Sequence, residues 1–305
     1  MKVQKVFKNI LRILVLAGMM CILPVFSDEV KADPSVTVYK SDGRTKADEN
    51  VDYAIKTDTY QVIYYLELYS NELIIEHSDY PIMDKCDDTE PHTYTIRNLN
   101  IKTNYDNVAA LNFAGNSNDV LLYVDGKCTI SGNNKSSTSG ISSEGGLKIL
   151  PKTGGGSHSL MIHEVSNGIS FTDNAKASLI LGDDNGHSLN ITTISSIHAL
   201  SGADIDSYRG PLEINNGVSL KCSGGENVSG ALVDNFSSYD INGTVKLECN
   251  CDESYYNGAI KLYGDSADSF KVGPYADIYL TSTGKAAVVN TIPEQLDKDA
   301  LGVTI

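Results

Sequence analysis

Short segments in which apolar and polar residues alternate recur along this chain about every thirty residues, and no other feature constrains the fold as tightly. They include Leu99–Thr103, Cys128–Gly132, Leu160–His163, Leu189–Thr193, Leu220–Gly224, Val245–Cys249 and Ile278–Ser282. Alternation with period two marks a half-buried strand. If Ile101, Ile130, Ile162, Ile191, Cys222, Leu247 and Leu280 are taken as the central residues, successive gaps are 29, 32, 29, 31, 25 and 33. Periods in this range signal stacked repeats.

Each unit holds two further apolar runs. One precedes the central strand, as in Val120–Leu122, Leu147–Leu150, Leu179–Leu181 and Leu212–Ile214. The other follows it, as in Gly140-Ile141, Gly168–Phe171 and Ala286–Val289. Turn residues separate the runs: Asp125-Gly126, Gly154–Gly156, Asp184–Gly186 and Asn215–Gly217. Three short strands per unit with no helical pattern predict an all-β chain, a right-handed parallel β-helix (solenoid) of about six to seven coils. A propeller blade needs a fourth strand, and a sandwich needs no such regular unit.

The remaining segments lie outside the repeat. Lys2, Lys5, Lys8 and Arg12 precede a mostly apolar stretch from Ile10 to Phe26, and Val30-Lys31-Ala32 has the small-x-small form of a cleavage site. Residues 1–32 are therefore expected to be a signal peptide, giving a secreted or cell-surface protein with no transmembrane anchor in the mature chain. Residues 33–93 do not repeat and hold Tyr39, Tyr53, Tyr60, Tyr64, Tyr65, Tyr69 and Tyr80. They are expected to form a Tyr-rich N-terminal cap over the β-helix of residues 94–290, since stacked coils need their end edges covered. Residues 291–305 are expected to close or trail from the last coil.

Charge narrows the partners. The chain carries 39 acidic and 24 basic residues, a net -15. Removing a leader with five basic and two acidic residues leaves about -18. Nucleic acid, which selects Lys and Arg, is excluded as a partner, and a monomer is expected. Five Cys remain after the leader: Cys86, Cys128, Cys222, Cys249 and Cys251. The number is odd, so at least one is unpaired within the chain. Cys249 and Cys251 have the look of half a metal site with no second half, and buried Cys in inward positions is the preferred reading.

The stretch Gly126-Lys127-Cys128-Thr129-Ile130-Ser131-Gly132-Asn133-Asn134, then Ser139-Gly140-Ile141, then Gly146-Leu147-Lys148-Ile149, carries a resemblance. It is similar to the recurring pattern of secreted clostridial-type β-helix proteins that bind cellulose or pectin. The resemblance spans roughly Asn98 to Asn290, and later units depart from it at Cys222 and Cys249. It implies the coil geometry and a carbohydrate-binding role, and it transfers no binding residue.

Asp183-Asp184-Asn185-Gly186-His187 is the densest polar cluster. Adjacent carboxylates suit calcium or paired-acid chemistry, and equally a solvated turn. Asp265 and Asp268, with Asp252 and Glu253 one unit earlier, form a second acidic region suited to calcium if the coils stack in register. The polygalacturonase signature of a further Asp, Gly-His-Gly and Arg-x-Lys is absent. A lyase needs a strong base, and Arg209 is the only Arg within the central coils. Leu150-Pro151-Lys152-Thr153-Gly154 matches the letters of a sortase signal but lies mid-chain, and reads as turn composition. The chain has no Trp, so Tyr is the aromatic for sugar stacking. Tyr255, Tyr256 and Tyr275 fall in turns where a ring can lie exposed or pack over a coil corner.

The expected function is non-catalytic binding of a plant or cell-wall polysaccharide, with calcium as a candidate aid at Asp183, Asp184, Asp265 and Asp268, and no catalytic residue assigned. The alternatives are a polysaccharide lyase or hydrolase on the same fold and a surface adhesin that binds protein.

Overall fold

A computed structural model describes residues 36–58, 63–89, 91–114, 118–133, 138–154, 156–172, 177–195, 205–206, 210–224, 233–249, 259–262, 270–282 and 288–290. Among them the regular structure is all strand. The strands form three sheets of nine, seven and ten, and the chain visits them in rotation. Val120–Asp125 lies in the nine-stranded sheet, Lys127–Ser131 in the seven-stranded one and Ser139–Ser143 in the ten-stranded one. Leu147–Pro151, His158–Val165 and Asn167–Phe171 repeat that circuit, each pairing in parallel with its predecessor. This is a parallel β-solenoid, and from Asn100–Lys102 onward the seven-stranded sheet takes one strand from each circuit.

The core follows from alternation held in register. Adjacent strands lie about 4.8 Å apart, so inward residues of successive coils stack directly. In the nine-stranded sheet one such column runs Tyr94, Leu122, Ile149, Leu181, Ile214, Ile241. In the ten-stranded sheet another runs Ile82, Leu111, Ile141, Ile169, Ile205, Val233, Ile260. All of these side chains are buried. Burying each such side chain stabilises the fold by about 1.5–3 kcal/mol before chain entropy is charged against it.

One expectation needs correction. The central column of the seven-stranded sheet is Ile101, Ile130, Ile162, Thr193, Cys222, Leu247, Leu280. Ile191 instead stacks in the neighbouring column between Leu160 and Leu220. The strand Leu189–Ser195 is set two residues along from where its apolar residues suggest, and Thr193 takes an interior place. Its hydroxyl is buried without a hydrogen-bond partner. The Cys reading holds where it is described: Cys128, Cys222 and Cys249 are buried at inward positions of the seven-stranded sheet. Cys251 lies outside the described residues.

Corners repeat as the columns do. Gly126, at φ +78°, turns the chain from one sheet into the next, and one coil earlier Asn98 makes the same turn at φ +48°. Asn98 Oδ1 accepts the Lys127 N–H at 3.2 Å and occupies the space a Gly126 Cβ would need. A side chain at Gly126 is thus excluded both by backbone conformation and by its neighbour.

Within residues 33–93 the strands join the same sheets. Leu73–Ser78 and Ile82–Asp84 pair in parallel with the coil above. Val36–Tyr39 runs antiparallel to Leu73–Ser78, and Tyr53–Asp58 runs antiparallel to Ile63–Leu68. The nine- and ten-stranded sheets therefore each end on a reversed strand. The leader and residues 291–305 lie outside the described residues.

Candidate functional site

Outward residues of a solenoid stack into columns as inward ones do, so each sheet presents a regular surface. On the seven-stranded sheet one outward column runs Asn100, Thr129, Met161, Thr192, Lys221, Lys246, Tyr279. Beside it runs Lys127, Ser159, Asn190, Ser219, Thr244, Asp277. The face is thus rich in hydroxyl, amide and ammonium groups.

Its last strand, Asp277–Ser282, carries the aromatic feature. Ile278 and Leu280 point inward, so Tyr279 between them points out, and it is 54% exposed. Its hydroxyl donates to Asp277 Oδ2 at 3.1 Å, which fixes the ring on the sheet and raises the phenol above its ordinary range. Glu248 lies beside it and pairs with Lys246 at 2.7 Å and Lys221 at 3.8 Å. The Lys246 contact lowers the Glu248 carboxyl. Tyr275 is 65% exposed in the turn before this strand, where its N–H donates to Asn242 Oδ1 at 3.1 Å. Of the two placements open to Tyr275, the structure has the exposed one. Tyr279 is not among the expected site residues, although the alternation of Ile278 and Leu280 already places it outward.

Of the other expected site residues only Asp183 and Asp184 are described. Asp183 faces its own loop: Oδ2 meets His187 Nδ1 at 2.5 Å, and Oδ1 accepts the Asn185 and His187 N–H groups at 3.2 and 3.1 Å. Burial pushes its carboxyl up, but the His187 contacts outweigh it and the net shift is downward. Asp184 is exposed beside it. Asp265, Asp268, Asp252, Glu253, Tyr255, Tyr256 and Arg209 lie outside the described residues. Among the described residues no group of three or more His, Cys, Asp or Glu is arranged to hold a metal ion.

A second surface lies on the nine-stranded sheet. The outward residues Ile74, Thr95 and Tyr123 stand side by side in register, as do Thr93 and Leu121. Ile74, Thr93, Thr95 and Tyr123 floor a cavity of about 310 Å³, lined also by Ser41, Glu72 and Lys152. The Lys152 ammonium sits 4.8 Å from the Tyr123 ring centroid, within range of a cation–π contact. An adjoining cavity of about 760 Å³ shares Glu72 and Thr93 and extends past Tyr69, Asn71 and Asp88.

No family model, curated protein or solved structure matches this chain.

Proposed function

We propose that the protein is a secreted, non-catalytic polysaccharide-binding β-solenoid that receives a glycan on the outer face of its seven-stranded sheet. The observation that carries this reading is Tyr279, a ring anchored through its hydroxyl and exposed at the end of columns of Ser, Thr, Asn and Lys. Aromatic rings supply broad apolar contact with a polar edge, which suits a pyranose face. Side chains spaced by the strand repeat meet the hydroxyls of an extended chain at several points. Tyr275, one turn earlier, lengthens the platform.

The test is depletion of the mature protein by a panel of insoluble and gelled polysaccharides, with calcium and with chelator. Retention on one glycan class without loss of polymer length is expected, and Tyr279→Ala should weaken it roughly tenfold. Loss of retention with chelator would bring calcium into the reading. Retention on none of the glycans would overturn it in favour of a protein-binding surface, and shortening of the polymer would make the protein an enzyme.

A further inference from the structure

We propose that the trough on the nine-stranded sheet is a separate binding site for a small linear zwitterion, a ligand bearing one carboxylate and one ammonium. The inference is independent of the glycan reading and uses a different sheet. It begins with two opposite charges that share a cavity without using each other. Lys152 and Glu72 both line the 310 Å³ space. Neither has an ion-pair partner among the described residues. Unlike Arg97, which is satisfied by Glu76 at 3.0 Å and Asp125 at 2.8 Å on the same sheet, Lys152 is held by an aromatic ring. A cation–π contact positions an ammonium while leaving it able to meet an anion.

Glu72 is held in place at a conformational cost. Its φ is +58°, in the left-handed region where glycine is the easy residue. Asn71 enforces that conformation. Its Oδ1 accepts the N–H groups of Glu72 at 2.8 Å and Thr93 at 2.6 Å, and its Nδ2 donates to the Pro91 carbonyl at 3.1 Å. One amide side chain thus clamps the loop carrying Glu72 against the start of the next strand. Glycine would relieve the backbone there, and with Glu the loop keeps a carboxylate at the edge of the cavity.

The chemistry of the ligand follows. A carboxylate seats on the Lys152 ammonium, an ammonium seats on Glu72, and the Ser41, Thr93 and Thr95 hydroxyls flank the space between. The volume is at the small end of ligand sites, the size of an amino acid or short peptide. The adjoining 760 Å³ cavity, reached past Glu72, admits a longer member of the same class.

The test is isothermal titration of the full mature chain with glycine, diglycine and triglycine, which differ in charge separation. Acetylglycine and ethylamine serve as single-charge controls. One zwitterion is expected to bind at least tenfold more tightly than either control. Lys152→Ala and Glu72→Gln are each expected to weaken it tenfold or more with unchanged melting temperatures. Glu72→Gly should abolish binding while raising the melting temperature. The proposal is overturned if no zwitterion binds, if acetylglycine binds as well as its zwitterion, or if both charge substitutions leave binding intact. Polysaccharide retention of these variants should be unchanged, so the two sites fail independently.

Discussion

Asp84 Oδ2 lies 2.6 Å from His92 Nδ1, and neither side chain has any solvent exposure. Asp84 ends a strand of the ten-stranded sheet and His92 begins one of the nine-stranded sheet, so the contact joins two walls of the solenoid from inside. Asp84 Oδ1 also accepts the Tyr94 hydroxyl at 2.9 Å and the Cys86 N–H at 3.0 Å. Removing Asp84 takes the partner from three buried groups, His92 Nδ1, the Tyr94 hydroxyl and the Cys86 N–H, at about 1–3 kcal/mol each, so the total toward the low end of that range is about 3–5 kcal/mol. Asp84→Ala is expected to lose that much in urea denaturation. Tyr94→Phe, which removes one donor and keeps the ring stacked on Phe113, is expected to lose about 1 kcal/mol.

A second carboxylate sets an acid limit near the N-terminal strands. Burial pushes the Asp52 carboxyl up, but the Asp48 N–H, the Ser70 hydroxyl and the Lys40 ammonium outweigh it and hold it below its ordinary 3.8. A carboxyl lowered by folding contributes stability that is full above the unfolded value and lost as pH falls through the folded one. The melting-temperature gap between wild type and Asp52→Asn is therefore expected to be widest near neutral pH and to close progressively below 3.8.

Thr193 gives a stabilising substitution. Its hydroxyl is buried without a partner in a column otherwise filled by Ile, Leu and Cys. Val has the same branched shape and no polar atom. Thr193→Val is expected to gain about 1 kcal/mol or more, read as a higher urea midpoint at unchanged slope.

The interior thiols should be inert. Burial pushes Cys86 and Cys128 each up to about 11. At pH 8 only about a thousandth of such a thiol is thiolate, the reactive form. Mass spectrometry after a short iodoacetamide pulse should find both unmodified in the folded protein and both alkylated in urea. Modification of the folded protein at Cys128 would contradict the interior placement of its column.

The coil repeat was readable because strand alternation and corner residues carry period and register together. Asp125-Gly126 and Asn215–Gly217 mark corners on their own. The slip at Ile191 shows where that reading stops. In Leu189–Thr193 three residues point inward, and only contact with Ile162 and Cys222 decides that the Thr takes the central column. Tyr279 was legible from its neighbours, since an aromatic between two inward residues must face out. The trough was not. Ser41, Glu72, Thr93, Tyr123 and Lys152 lie far apart in sequence, and stacking alone brings them to one surface. The left-handed conformation of Glu72 likewise depends on Asn71 reaching across to Pro91 and Thr93.

The reversed strands Val36–Tyr39 and Tyr53–Asp58 bear on how such a chain avoids becoming a fibre. In-register parallel stacking at about 4.8 Å is also the geometry by which identical segments template one another without limit. A parallel coil grows only by adding strands that run its own way. At the N-terminal end of the described residues two of the three sheets present strands running the other way, which breaks the parallel register that a second copy would extend. The repeat thus carries its own stop, written as a change of direction in the chain.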